Sequence, residues 1–145
     1  MDFAYTPEQE ALRSEVRQFI ADNVTPEIIH EIEESGIRNR GPETRDLYKK
    51  IGDKGWIGIS WPKEYGGQDG SRIDQYIIEE EFARIGITVG GAGSGAPAIL
   101  AAGTEEQKKY FLPGLIKGEI VFALGFTEPQ GGADLASLQC RAVRD

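Results

Sequence analysis

The chain has 145 residues and a net charge of −8, with 39% hydrophobic and 28% charged side chains, an ordinary globular composition long enough to bury a core. That acidity argues against a nucleic-acid or anionic-membrane surface, both of which need a basic face, while main-chain N–H groups keep anionic cofactors possible. No signal-peptide pattern opens the chain and its longest apolar run, Ile120 to Leu124, is far short of a membrane span, so a cytoplasmic protein is expected.

The elements follow in order. Thr6-Pro7-Glu8-Gln9 offers an N-cap threonine, a proline at the first helical position and a glutamine able to close a capping box. Leu12, Val16, Phe19 and Ile20 then recur at helical spacing to about Asn23. Pro26 interrupts, and Glu27 to Glu34 read as a short charged helix with Glu31, Glu33 and Glu34 facing solvent. His30, the lone histidine, sits on that helix as a surface residue, and no metal site is expected. After a loop, a second long helix runs from about Pro42 to Lys54, with Leu47, Tyr48 and Ile51 inward and Gly55 as its stop.

Trp56 to Gly70 is irregular, yet Trp56, Trp61 and Tyr65 are expected to pack in a core, the other reading being that they flank a ligand. A third long helix begins near Ser71 and carries Ile73, Tyr76, Ile77, Glu80 and Phe82 toward Ile85. Gly86 to Gly95 is a glycine-rich loop and Ala96 to Ala102 a short helix. Thr104-Glu105-Glu106-Gln107 repeats the capping box and opens a helix expected to stop near Pro113-Gly114. Ile120 to Phe126 changes period and reads as a strand. The single cysteine, Cys140, excludes an internal disulfide, fits a reducing compartment and reads as a small apolar strand residue.

The expectation is a mainly α fold, with residues 1–119 a helical domain and residues 120–145 the first strands of a β domain. One strand, a loop and another strand cannot build a sheet with its own core, so the chain is expected to belong to a longer protein.

Two segments could carry chemistry. Thr127-Glu128-Pro129-Gln130-Gly131-Gly132-Ala133-Asp134 follows the apolar strand, and its paired glycines would let main-chain N–H groups approach an anionic or carbonyl-bearing ligand. By itself the same pattern describes a plain turn. Gly90 to Pro97 is also glycine-rich, but it follows a helix and lacks the Lys-Ser/Thr of a phosphate loop.

The run Phe122 to Pro129, with Gly132 and Asp134, resembles the flavin-binding signature of the acyl-CoA dehydrogenase family. Further stretches resemble that family in order and spacing. They are Asp2-Phe3 with Thr6 to Gln9 and Arg17; Gly55 to Gly58 with Pro62, Glu64, Tyr65, Gly66 and Gly67; Glu79 to Glu81; and Gly103 to Lys108 with Leu112-Pro113 and Gly118-Glu119. The resemblance covers essentially the whole chain and implies the family's N-terminal helical domain followed by the start of its middle β domain.

It further implies FAD as cofactor and oxidation of an acyl-CoA thioester to the 2,3-enoyl-CoA, by removal of an alpha proton and transfer of a beta hydride to the flavin. Carried over by position, Leu124, Phe126, Thr127, Gly132 and Ala133 would contact the cofactor, and Ala133, Gly93 and Ala96 the substrate. No residue here would be catalytic, because the family's glutamate base lies in a C-terminal bundle. Ala133 replaces the family's usual serine, which removes one hydrogen bond worth about 0.5–1.5 kcal/mol. Small residues between Gly90 and Pro97 would leave room for a wide or polycyclic acyl group, or else allow close helix packing.

Implied partners are acyl-CoA, an acceptor such as an electron-transferring flavoprotein, and further subunits in a homo- or hetero-oligomer. Two other readings stay open: a non-catalytic partner subunit of a heteromeric dehydrogenase, and a flavoenzyme of the same fold acting on a non-thioester substrate such as a nitroalkane.

Overall fold

The computed structural model describes residues 4–35, 41–89, 95–122, 125, 127–141 and 143. Six helices dominate: α1 (Pro7–Asn23), α2 (Pro26–Ser35), α3 (Pro42–Asp53), α4 (Arg72–Ala83), α5 (Gly95–Ala102) and α6 (Glu105–Ile116). Short 3-10 turns occupy Lys63–Tyr65 and Leu135–Ser137. Complete capping boxes start α1, α4 and α6: Thr6 with Gln9, Ser71 with Asp74, and Thr104 with Gln107. Each satisfies two main-chain donors that a helix start otherwise leaves open.

The main core joins α1, α3, α4 and the segment after α3. Phe19, Trp56 and Phe82 meet edge to face, with ring centroids 5.1, 6.2 and 6.4 Å apart. Val16, Leu47, Ile51 and Ile78 close around them. Burying each such side chain contributes about 1.5–3 kcal/mol. Residues 56–70 thus belong to the core despite their irregular path, because Trp56, Ile57, Ile59 and Tyr65 are all buried. A second cluster unites Tyr65, Ala96, Leu112 and Leu115, with Trp61, Ile99, Phe111 and Phe122 packed against it.

Several expectations need correction. On α4 the inward face is Ile77, Ile78, Glu81 and Phe82, whereas Ile73 and Tyr76 are half exposed at 50% and 56%. Glu81 turns inward because α1 presents two arginines to it. Arg13 Nε donates to Oε1 at 2.8 Å, and Arg17 donates from Nε and Nη2 at 2.9 and 3.0 Å. A buried carboxylate without such partners would be strongly destabilising. The Arg17 and Arg13 hydrogen bonds hold its carboxyl below the ordinary value against the opposing effect of burial.

Glu31 does not belong to a plain solvent face. Its carboxylate accepts the main-chain N–H of Glu43 at 3.2 Å and of Thr44 at 2.8 Å, and the Thr44 hydroxyl as well. Glycine at the N-cap of α3, Gly41, has no side chain to do this, and a Cβ there would collide with the Glu31 carboxylate. The cap of α3 is therefore supplied by α2.

Helix α6 continues through Pro113 to Ile116, a turn beyond the expected stop. Proline in a last turn removes a single ladder bond, and burial of Leu115 and Ile116 outweighs that loss. No strand ladder forms among the described residues of 120–126, of which 123, 124 and 126 lie outside the description. An extended segment becomes a strand only beside a partner, and the bridge Glu128–Gly131 is the pairing seen nearby.

Candidate functional site

The segment 127–141 is built from local polar contacts. Glu128 N–H donates to Gly131 O at 3.0 Å and Gly131 N–H returns to Glu128 O at 3.1 Å, closing a tight turn with Pro129 and Gln130 at its tip. Pro129 suits that place because its ring presets one dihedral. The Glu128 carboxylate then reaches along the chain, accepting the N–H of Gln139 at 2.8 Å on Oε2 and of Cys140 at 2.7 Å on Oε1. Gln130 Nε2 donates to the same carboxylate. These main-chain donors, Gln139 first and Cys140 next, hold the Glu128 carboxyl below its ordinary value. So engaged, Glu128 is a poor proton acceptor and no candidate for a general base.

Asp134 closes the other half of the loop. Its Oδ1 accepts Ala136 N–H at 3.1 Å, and its carbonyl accepts the Ser137 hydroxyl at 2.8 Å. Ser137 also fills the space beside Gly131, where a Cβ would strike its Oγ. Between these two pins lie the expected cofactor contacts. Thr127, Gly132 and Ala133 are all exposed, and a Cβ on Gly132 would meet Thr127 Cγ2 at 3.4 Å, so the two residues share one side of the loop. The N–H groups of Gly132 and Ala133 take no acceptor among the described residues. Two adjacent N–H groups without an acceptor, near the Thr127 side chain, suit an anionic or carbonyl-bearing group, which is the chemistry a flavin nucleotide presents.

Other expected site residues fall elsewhere. Leu124, Phe126 and Gly93 lie outside the described residues. Ala96 has 0% exposure, packed with Tyr65, Leu112 and Leu115. A Cβ on the neighbouring Gly95 would run into the Phe122 ring. The small residues at the start of α5 therefore admit an aromatic side chain at close range. An open groove of about 340 Å³ does border α5, lined by Trp61, Arg72, Gln75, Pro97 and Leu100, but not by Ala96.

Sequence reasoning overlooked the roles of Gln139 and Cys140, since main-chain donors carry no residue-type signal, and the part played by the Ser137 hydroxyl. Cys140 is exposed, with its side chain outside any core. His30 pairs with Glu34 at 3.3 Å on the surface. No acid, histidine and cysteine cluster able to hold a metal occurs among the described residues, nor does any helix long and apolar enough to cross a membrane.

Comparison with known proteins bears on this loop and its scaffold. The family model described as "Acyl-CoA dehydrogenase, N-terminal domain" matches residues 6–119. The chain is 43% identical to Acyl-CoA dehydrogenase FadE26 of Mycobacterium tuberculosis over 100% of its own length and 37% of that protein's. Among solved structures it resembles the ChsE4-ChsE5 complex of Mycobacterium tuberculosis, with a TM-score of 0.82 and 42% identity over 100% of this chain and 36% of that one. The Tcur3481-Tcur3483 steroid ACAD matches with a TM-score of 0.82 and 42% identity over 100% of this chain and 38% of that one. An acyl-CoA dehydrogenase complexed with FAD from Bacillus anthracis matches with a TM-score of 0.78 and 32% identity over 93% of this chain and 23% of that one. The chain thus spans between 23% and 38% of the length of these relatives.

Proposed function

The chain belongs to the acyl-CoA dehydrogenase family, and on that premise we propose that it forms the N-terminal part of an FAD-dependent enzyme that oxidises an acyl-CoA thioester to the 2,3-enoyl-CoA. Residues 1–119 are the helical domain and residues 120–145 the opening of a β domain; the family match ending at residue 119 supports that division. The observation that carries the cofactor assignment is the exposed loop with unpaired N–H groups at Gly132 and Ala133 beside Thr127. Leu124 and Phe126 would complete the flavin contacts. Bound FAD would supply the electron acceptance; this chain supplies donors that hold and orient it. We place the base outside this chain, as the family resemblance implies; Glu128 is committed to main-chain amides.

The substrate we favour is a bulky, polycyclic acyl-CoA. The solved relative named as a steroid ACAD supports this reading. Gly93 and Ala133 remain the proposed substrate contacts; Ala96, fully buried, would bear on the substrate only through the packing around it. The reduced flavin would pass its electrons to an acceptor such as an electron-transferring flavoprotein. Turnover of the purified whole protein on steroid side-chain and butyryl thioesters tests the assignment: preference for the polycyclic thioester is expected, and exclusive use of the short chain refutes it.

A second reading is a subunit that shares its flavin site with a different chain. The solved ChsE4-ChsE5 relative is a complex of two named components, and Ala133 lacks the hydroxyl the family usually places there. One FAD per pair of unlike subunits after co-purification would favour it; one FAD per identical subunit would not.

A further inference from the structure

Residues 127–141 contain no buried side chain among those described, and the contacts that shape the loop within this chain are polar. Its shape depends on a few polar bonds, and Glu128 makes the longest-range of them, to Gln139 and Cys140, eleven and twelve residues further on. A carboxylate that accepts two successive main-chain amides acts as a staple between two chain segments, and charge-assisted bonds of this kind are the strong class. The staple closes a ring of chain that contains Gly132, Ala133 and the Asp134 cap.

We propose that Glu128 is a positioning residue for the cofactor loop: its carboxylate, anchored on the Gln139 and Cys140 amides, sets where the unpaired Gly132 and Ala133 N–H groups stand. The inference rests on the assignment of those two amides to FAD. Glu128 touches no reacting atom; it acts through the backbone it holds. Its reduced tendency to take a proton agrees with a carboxylate committed to donors.

The test uses the whole protein, stripped of flavin and reconstituted with FAD. Glu128→Gln keeps the shape but turns an amide NH2 toward one of two N–H donors, so one staple bond must fail. Amide exchange at Gln139 and Cys140 is expected to accelerate at least tenfold, and the FAD dissociation constant, read from flavin fluorescence, to rise roughly tenfold to a hundredfold. In the flavin-free protein the thermal midpoint of the helices should not move, since the loop buries no side chain against them. Glu128→Asp, which keeps the charge, should recover part of the affinity and serves if the glutamine variant fails to fold.

Unchanged FAD affinity in Glu128→Gln overturns the positioning role while leaving the cofactor assignment intact. Lost turnover at saturating FAD with unchanged affinity also overturns it, as does fast exchange of both amides in the unmodified protein. Failure of the unmodified protein to bind FAD overturns the assignment and this inference together.

Discussion

In the helical body, Val16, Ile51, Ile77, Phe82 and Leu112 are fully withdrawn from water, and three aromatic rings interlock at the centre. Residues 127–141 bury nothing; Glu128 and Asp134 shape them by accepting hydrogen bonds from main-chain and hydroxyl donors. Side-chain volume decides the first region and acceptor placement decides the second. A large side chain can therefore matter little in the loop, while one oxygen atom matters greatly.

That contrast can be broken by mutation. Phe82→Ala, which empties the aromatic centre, should lower the unfolding free energy by about 3–5 kcal/mol in urea titration. A loss below about 1 kcal/mol would mean the interlocked rings are not the core. Glu81→Gln should cost about 2–3 kcal/mol, because two arginines lose a shared ionised acceptor.

The pH dependence of that effect has a definite sign. Glu81 has a depressed folded value, so its contribution is full above the ordinary carboxylate range and fades as pH falls through the folded value. Arg13, Arg17 and Arg84 face it as its ion-pair partners. Stability of Glu81→Gln should accordingly fall less steeply on the acid side, and parallel acid limbs would refute the linkage.

Glu31→Ala, which uncaps α3, should cost about 1 kcal/mol, and a circular-dichroism melt that matches the unmodified chain would show that α3 needs no cap from α2. Leu135→Ala sharpens the other side of the comparison: the side chain is 69% exposed, and its removal should change stability by less than about 0.5 kcal/mol. A larger loss would show that the loop has a core after all.

Much of the helical body was legible because its signals are local. Thr6 and Thr104 announce their helices through residues three positions away, and Leu47, Tyr48 and Ile51 mark the inner face of α3 by spacing alone. Helix α4 misled because it carries apolar residues on more than one face; the choice between Tyr76 and Ile78 is made by docking on α1, which spacing within α4 does not encode. The Glu31 cap joins two helices across a loop, so neither helix shows it separately. At the candidate site, the motif around Thr127 and Gly132 singled out the loop proposed to hold the flavin, whereas the donors that shape that loop are main-chain groups of Gln139 and Cys140, which any residue would supply.

The Arg13–Glu81 bond spans 68 positions of sequence. A ribosome adds about 5–20 residues per second, so roughly 3–14 s separate the synthesis of the two partners. Throughout that interval α1 is a nascent amphipathic segment whose Arg13 and Arg17 lack Glu81, the buried acid they share in the fold. Its apolar stripe also waits, since Phe82 is made just after Glu81. Docking of α1 is thus a late, long-range step in the birth of the protein, and a chaperone that shields a half-apolar helix would find its client here.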